Sequence, residues 1–209
     1  IEELRQWLET QRYAMAEALF RAEVHAGRIQ FRLRTDGKNW RMPFQAETYE
    51  PDGSDQLVRA SGEPLAKSLF SPIYKGDFSS QDERDIAVYL DADHALQWWH
   101  RNVARSHYAL QGWRREKVYP DFIFAVQHEA NASRVVVLEM KGKHLAGNDD
   151  TEYKKAVLQL MTSAFDVEQG ERVGELELVV EGQASVECDL VLMPDWKTDL
   201  PRRLSASGA

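Results

Sequence analysis

Cysteine is almost missing from this chain. Cys188 is the single example in 209 residues, which excludes an intrachain disulfide and a cysteine-based zinc site and points to a reducing compartment. Long apolar runs are missing too. Stretches such as Val135 to Leu138 fall far short of the roughly 20 residues needed to cross a bilayer. Residues 1–20 mix acidic and basic groups, unlike a signal peptide. A soluble, cytoplasmic protein with no membrane partner is the expectation. The chain contains no G-x-x-x-x-G-K-[ST] phosphate loop, so an ATP motor, if one exists, lies outside it. It starts at Ile1 rather than a methionine, and is expected to be a piece of something longer.

Surplus positive charge is the third absence. Twenty-six Lys and Arg face 34 Asp and Glu, a net charge of -8, which argues against a free-standing nucleic-acid binder. The deficit is uneven. Residues 1–97 hold 12 basic and 17 acidic groups (-5), residues 98–120 hold 5 and 1 (+4), and residues 121–209 hold 9 and 16 (-7). The positive island, Arg101, Arg105, Arg114, Arg115 and Lys117, ends directly before Pro120-Asp121. It serves equally well as local positive potential beside a site or as a solvated helix face.

What is present suits one full-sized domain, since 43% hydrophobic residues can build a sizeable core. Leu4, Trp7, Leu8, Ala14, Met15, Ala18, Leu19 and Ala22 recur at helical spacing and predict an amphipathic helix over about 2–24, stopped by Gly27. Residues 29–33 alternate as a strand, and Asp36-Gly37 is hairpin chemistry leading into a strand over 40–49. An irregular stretch to about residue 78 follows, with a soft boundary near 66. Ser80-Gln81-Asp82-Glu83 matches a capping box and opens a helix at about residue 81 that buries Ile86, Ala87 and Leu90. Trp98-Trp99 reads as strand. Residues 122–126 and 134–142 read as two more strands, joined by a polar turn. A helix over 152–165 buries Val157, Leu160, Met161, Ala164 and Phe165, strands follow over 175–180 and 186–192, and the tail after Pro201 is expected to be loose. The order suits a mixed β-sheet flanked by helices, an α/β fold.

The chemistry sits on the second hairpin. If its strands fold about residue 130, opposed positions sum to 260, and 121 plus 139 is 260. Asp121 then faces Glu139 with Cβ atoms within roughly 5 Å. Lys141, two residues on, shares their face, whereas Met140 points away. Val135 to Leu138 is apolar on both faces and reads as an interior strand. Paired carboxylates at its end either share a proton or bind a cation, and an all-oxygen site favours Mg²⁺ or Mn²⁺. The neighbouring amine can orient a water or neutralise charge on a phosphorane-like transition state. That is equipment for phosphodiester hydrolysis, although Glu-x-Lys in a strand and Pro-Asp in a turn are each common as surface features.

Five blocks in order make the pattern more specific: 75–87 (KGDFSSQDERDIA), 98–102 (WWHRN), 119–122 (YPDF), 138–142 (LEMKG) and 148–154 (NDDTEYK). Across about residues 67–165 the chain resembles the C-terminal PD-(D/E)xK endonuclease domain of the helicase-nuclease subunit of type III restriction enzymes and related defence helicases. The resemblance implies a restriction-endonuclease-like fold, a Mg²⁺ requirement and DNA cleavage within an ATP-driven enzyme, with a companion methyltransferase subunit supplying sequence recognition. By the same resemblance Asp121 and Glu139 match the metal-binding acids, Lys141 the catalytic lysine, and Glu83 the acid on the preceding helix. Residues 1–66 match no family element and form an N-terminal extension of helix plus β-hairpin, 67–200 form the nuclease domain, and 201–209 a flexible tail.

Bland readings stand beside these. Glu83 also fits as the third residue of its capping box, which would leave Asp85 as the metal candidate. Trp98 and Trp99 fit a core better than base stacking. His100 and His107 lack a partner at ligand spacing, which speaks against zinc. Arg101 is the phosphate contact in the positive island, with Asn102 beside it. Lys143, His144, Lys154 and Lys155 suit a phosphate near a helix start, the two helix lysines fitting a solvated helix end nearly as well.

Overall fold

The computed structural model describes residues 2–29, 46–47, 55–129, 132–142, 147–164, 183–193 and 195–205. Its centre is a four-stranded mixed sheet, β3 (Leu96–Arg101), β4 (Phe122–Glu129), β5 (Ala132–Gly142) and β6 (Gln183–Met193), in that spatial order. Both β3–β4 and β4–β5 pair antiparallel, whereas β5–β6 pairs parallel. A parallel pair requires a crossover. Helix α3 (Asp149–Ala164) lies in the chain between β5 and β6.

Alternation along the strands splits the core in two. Ile123, Ala125, Val135 and Val137 face α3, packing with Val157, Leu158, Leu160 and Met161. Phe122, Phe124, Val126, Val136 and Leu138 face the other way, packing with Ile86, Ala87 and Leu90 of α2 (Gln81–Ala92) and with Trp196, Leu200 and Leu204 of α4 (Trp196–Leu204). The central strands are therefore apolar on both sides, and Val135 to Leu138 are fully buried. Trp98 and Trp99 divide between the two layers as core residues.

Several expectations are corrected. Helix α1 (Glu2–His25) forms over the predicted span, but its regular apolar stripe faces outward: Leu4 is 62% exposed, Met15 71% and Leu19 63%. The opposite side docks instead, through buried Val24, Phe20 against Trp113, and Tyr13 beneath the Arg114 guanidinium. Periodicity identified the helix, whereas the less regular face, with Tyr13, Phe20 and Val24, found the partners. The stretch to residue 78 is not wholly irregular. Strand β2 (Phe70–Ser71) pairs in parallel with β1 (Ala46–Glu47), and a 3-10 turn covers Lys75–Asp77.

Packing runs on across the boundary expected near 66. Leu57 and Leu65 belong to the α2-side core, and buried Asp91 on α2 accepts from Arg59 Nη2 at 2.6 Å, Lys67 N at 2.7 Å, Trp99 Nε1 at 3.0 Å and Ala66 N at 3.1 Å. Burial opposes its ionisation, yet these donors together hold its pKa below the usual carboxylate range. Past Pro201, residues 202–204 continue α4 rather than a loose tail, because Leu204 is buried in the core. The strands expected over 30–33, 40–45, 48–49 and 175–180, with the Asp36-Gly37 turn, lie outside the described residues.

Among the described residues, no helix is long and apolar enough to cross a membrane.

Candidate active site

The β4–β5 register places Phe122 opposite Leu138 and Ile123 opposite Val137, and both pairs sum to 260. Asp121 stands one residue before β4. Its amide donates to Leu138 O at 2.9 Å, and its own Oδ2 accepts from Met140 N at 2.7 Å. The carboxylate thus lies across the end of β5, beside Glu139. Met140 packs toward the α2-side core, as alternation requires, leaving Glu139 and Lys141 on the α3 side.

Glu139 is 2% exposed. Its Oε1 accepts from Lys154 Nζ of α3 at 2.8 Å and lies 3.4 Å from Lys141 Nζ, whereas Oε2 is buried with no hydrogen-bond partner among the described residues. A buried carboxylate oxygen left unpaired costs free energy unless something fills the place. Both ammonium groups also reach Asp150 Oδ2, Lys141 at 3.4 Å and Lys154 at 3.6 Å.

Electrostatics follow from this geometry. Burial, then the neighbouring Glu139 and Glu83 charges, push the Asp121 pKa up to about 7, against the Met140 hydrogen bond and the Lys154 charge. The carboxylate pair resists holding two bare negative charges. Lys154 shows the converse: burial alone would lower its pKa, but the charge and hydrogen bond of Glu139 outweigh it and raise the value. Its ammonium form is secure.

Glu83 lies at the same end but is otherwise occupied. Ser80 caps α2, accepting from Glu83 N at 3.2 Å, which realises one half of the capping box. In place of the other half, the Glu83 carboxylate accepts from Ser79 N at 3.2 Å and from the Ser79 hydroxyl, and lies 3.5 Å from Arg101 Nη2. Arg101, over the Phe78 ring, therefore neutralises Glu83. Asp85 is engaged elsewhere, accepting from Gln81 Nε2 at 2.7 Å.

Asn102 does not face solvent. It is buried, donating from Nδ2 to Tyr108 O at 2.9 Å and Pro120 O at 2.8 Å and accepting at Oδ1 from Tyr108 N at 2.9 Å. Both its donors serve the loop that delivers Asp121, leaving none for a phosphate. Lys155 is exposed on another face of α3, and Lys143 and His144 lie outside the described residues. His100 and His107 meet each other after all, with His100 Nε2 at 3.2 Å from His107 Nδ1.

Lys154 is a member of the carboxylate centre, rather than a residue at its rim. The signal was available: Lys154, Val157, Leu158 and Met161 follow i, i+3, i+4, i+7, so Lys154 continues the stripe that faces the sheet. The loop 112–116 holds α3 in place, with Tyr153 Oη accepting from Arg114 N and donating to Glu116 O, both at 3.4 Å. A Cβ on Gly112 would meet Tyr153 Oη and Val157 Cγ2 at 2.6 Å each. Gly112→Ala is accordingly expected to destabilise the fold by about 1–3 kcal/mol through overpacking, seen as a lower Tm.

Among the described residues, no three His, Cys, Asp or Glu side chains converge as an ion cage. The donor set instead fits a hard divalent ion that keeps most of its waters and takes one or two carboxylates, here Asp121 and the unpaired Oε2 of Glu139. No family model, curated protein or solved structure matches the chain.

Proposed function

We propose that the chain is a metal-dependent DNA endonuclease domain of the PD-(D/E)xK type, with a restriction-endonuclease-like fold, from a type III-like restriction or defence helicase-nuclease. The observation that carries this reading is the buried, unpaired Glu139 Oε2 beside Asp121, with Lys141 on the same face. Asp121 and Glu139 would hold Mg²⁺ or Mn²⁺. The ion, when bound, lowers the pKa of a water and polarises the scissile phosphate. Lys141 supplies an ammonium to the charge that develops on the phosphorus oxygens, in a pocket where burial strengthens the interaction. Lys154 fixes the Glu139 rotamer by gripping Oε1, which leaves Oε2 for the ion. An ATPase motor and a methyltransferase specificity subunit are the partners in this reading, and they would deliver an acidic domain to DNA.

Calorimetric titration with Mn²⁺, paired with cleavage of plasmid DNA, tests the reading. Wild-type protein is expected to bind the ion, and Asp121→Asn to weaken binding by about tenfold or more, since losing even a supporting ligand contact has effects of that order. Wild-type protein that neither binds Mn²⁺ nor cuts DNA would instead be a silent docking module of the same fold. Cutting confined to branched or single-stranded DNA would favour a repair nuclease.

A further inference from the structure

Asp150 is a carboxylate in an unexpected place. It is 58% exposed, in the first turn of α3, yet its Oδ2 sits between two ammonium groups that are each only 17% exposed, 3.4 Å from Lys141 and 3.6 Å from Lys154. The two lysines come from different elements, β5 and α3, and meet because both also reach the buried Oε1 of Glu139. Each cation thus has an inward anion that belongs to the core and an outward anion that faces solvent. The inward contact is fixed by burial. The outward one is an exposed ion pair, a kind that adds little to stability.

We propose that Lys141 and Lys154 form a subsite for a backbone phosphate of DNA, and that Asp150 occupies it until nucleic acid arrives. A phosphodiester carries the same single negative charge as the Asp150 carboxylate and offers the same kind of oxygen acceptor. It must approach from solvent, where Asp150 stands. The two anions cannot share the ammonium pair, so DNA has to turn the Asp150 side chain aside, a rotation that its exposure permits. Arg101 is already engaged with Glu83, so the masked lysines are the cations that binding uncovers. The inference rests on the nuclease reading for its ligand, and its consequence is a gain: removing a negative charge at Asp150 strengthens binding.

The test measures affinity for a fluorescent duplex oligonucleotide in EDTA, where no metal-dependent cleavage occurs. Asp150→Asn is expected to bind about two- to fivefold more tightly than wild type at low salt, the upper part of the range set by an exposed pair. Combining it with Lys154→Met is expected to abolish the gain. Glu152→Gln, which removes an exposed charge from the same helical turn, is the control for net charge. The proposal is overturned if Asp150→Asn binds no more tightly than wild type, if the gain survives in the double variant, or if Glu152→Gln matches it. The Mn²⁺ titration is read separately. A protein that gains DNA affinity at Asp150→Asn but binds no Mn²⁺ keeps the phosphate subsite and loses the nuclease reading, and the converse result does the reverse.

Discussion

Lys141→Ala is expected to leave the fold intact and to lower the proposed metal-dependent DNA cleavage by about 10²–10³-fold, the range found when one donor to a developing negative charge is removed. The structure explains why fold and activity separate. Lys141 contacts Glu139 Oε1 at 3.4 Å, but the shorter bond to that oxygen comes from Lys154 at 2.8 Å, so the buried carboxylate keeps a cationic partner when Lys141 is lost. Circular dichroism and Tm close to wild type, with Mn²⁺ affinity largely retained, are expected beside the lost activity. Undiminished cleavage by pure mutant protein would remove Lys141 from the mechanism. A collapsed Tm would assign it a structural role.

The histidine pair is expected to contribute a part of the stability that acid removes, a part that His100→Phe no longer carries. His100 is 1% exposed. Burial, then the neighbouring His107 and Arg101 charges, pull its pKa down from 6.5 to about 3, and burial and Arg101 lower His107 as well. A lowered pKa means that between about pH 6.5 and 3 the unfolded chain binds a proton at His100 that the folded chain refuses. The His100 contribution is therefore complete above 6.5 and is lost as pH falls through that window, by up to about 1.4 kcal/mol per pH unit. The hydrogen bonds agree with a neutral pair, since His107 Nδ1 accepts from Val103 N at 3.2 Å and so leaves His100 Nε2 to donate to it. Asp121, whose raised pKa makes the folded chain take up a proton below about pH 7, offsets this loss, so the test is a difference. In urea titrations from pH 7.5 to 4.5, His100→Phe is expected to lose less stability than wild type, or to gain where wild type stays level. Parallel slopes for the two proteins would dismiss His100 as the cause.

The hairpin was the most legible part of the molecule. Val135 to Leu138 and Phe122 to Val126 are apolar on both faces, so the strands had to be interior. The polar stretch 127–133 is long enough to allow a one-residue slip, so the register that sums to 260 is only suggested by the sequence and is shown by the β4–β5 pairing. The bulge that does occur, between Gln127 and Glu129, lies at the turn end, away from Asp121 and Glu139. Less legible was everything that depends on how elements meet. Glu83 reads in sequence as either a metal ligand or a capping-box acid, but Ser79 and Arg101 claim its carboxylate in space. Asn102 reads as a surface group beside arginines, but it braces the loop before Asp121. Periodicity shows that 2–25 is helical without showing which side docks: the face carrying Phe20 and Val24 meets the core, and the longer stripe of Leu4, Trp7, Leu8, Met15 and Leu19 stays exposed. The histidine pair joins β3 to the following loop, a tertiary pairing that no ligand-spacing rule describes.

The parallel pairing of β5 with β6 has a consequence for synthesis. Residues 121–141 emerge from the ribosome as a self-contained hairpin, but the strand that covers the outer side of β5 spans Gln183–Met193 and follows only after α3. Until it arrives, the Val135–Leu138 segment is an unprotected, strongly apolar border able to recruit other chains. Any truncation ending before residue 183 should therefore yield insoluble material, even though it retains every charged group of the hairpin.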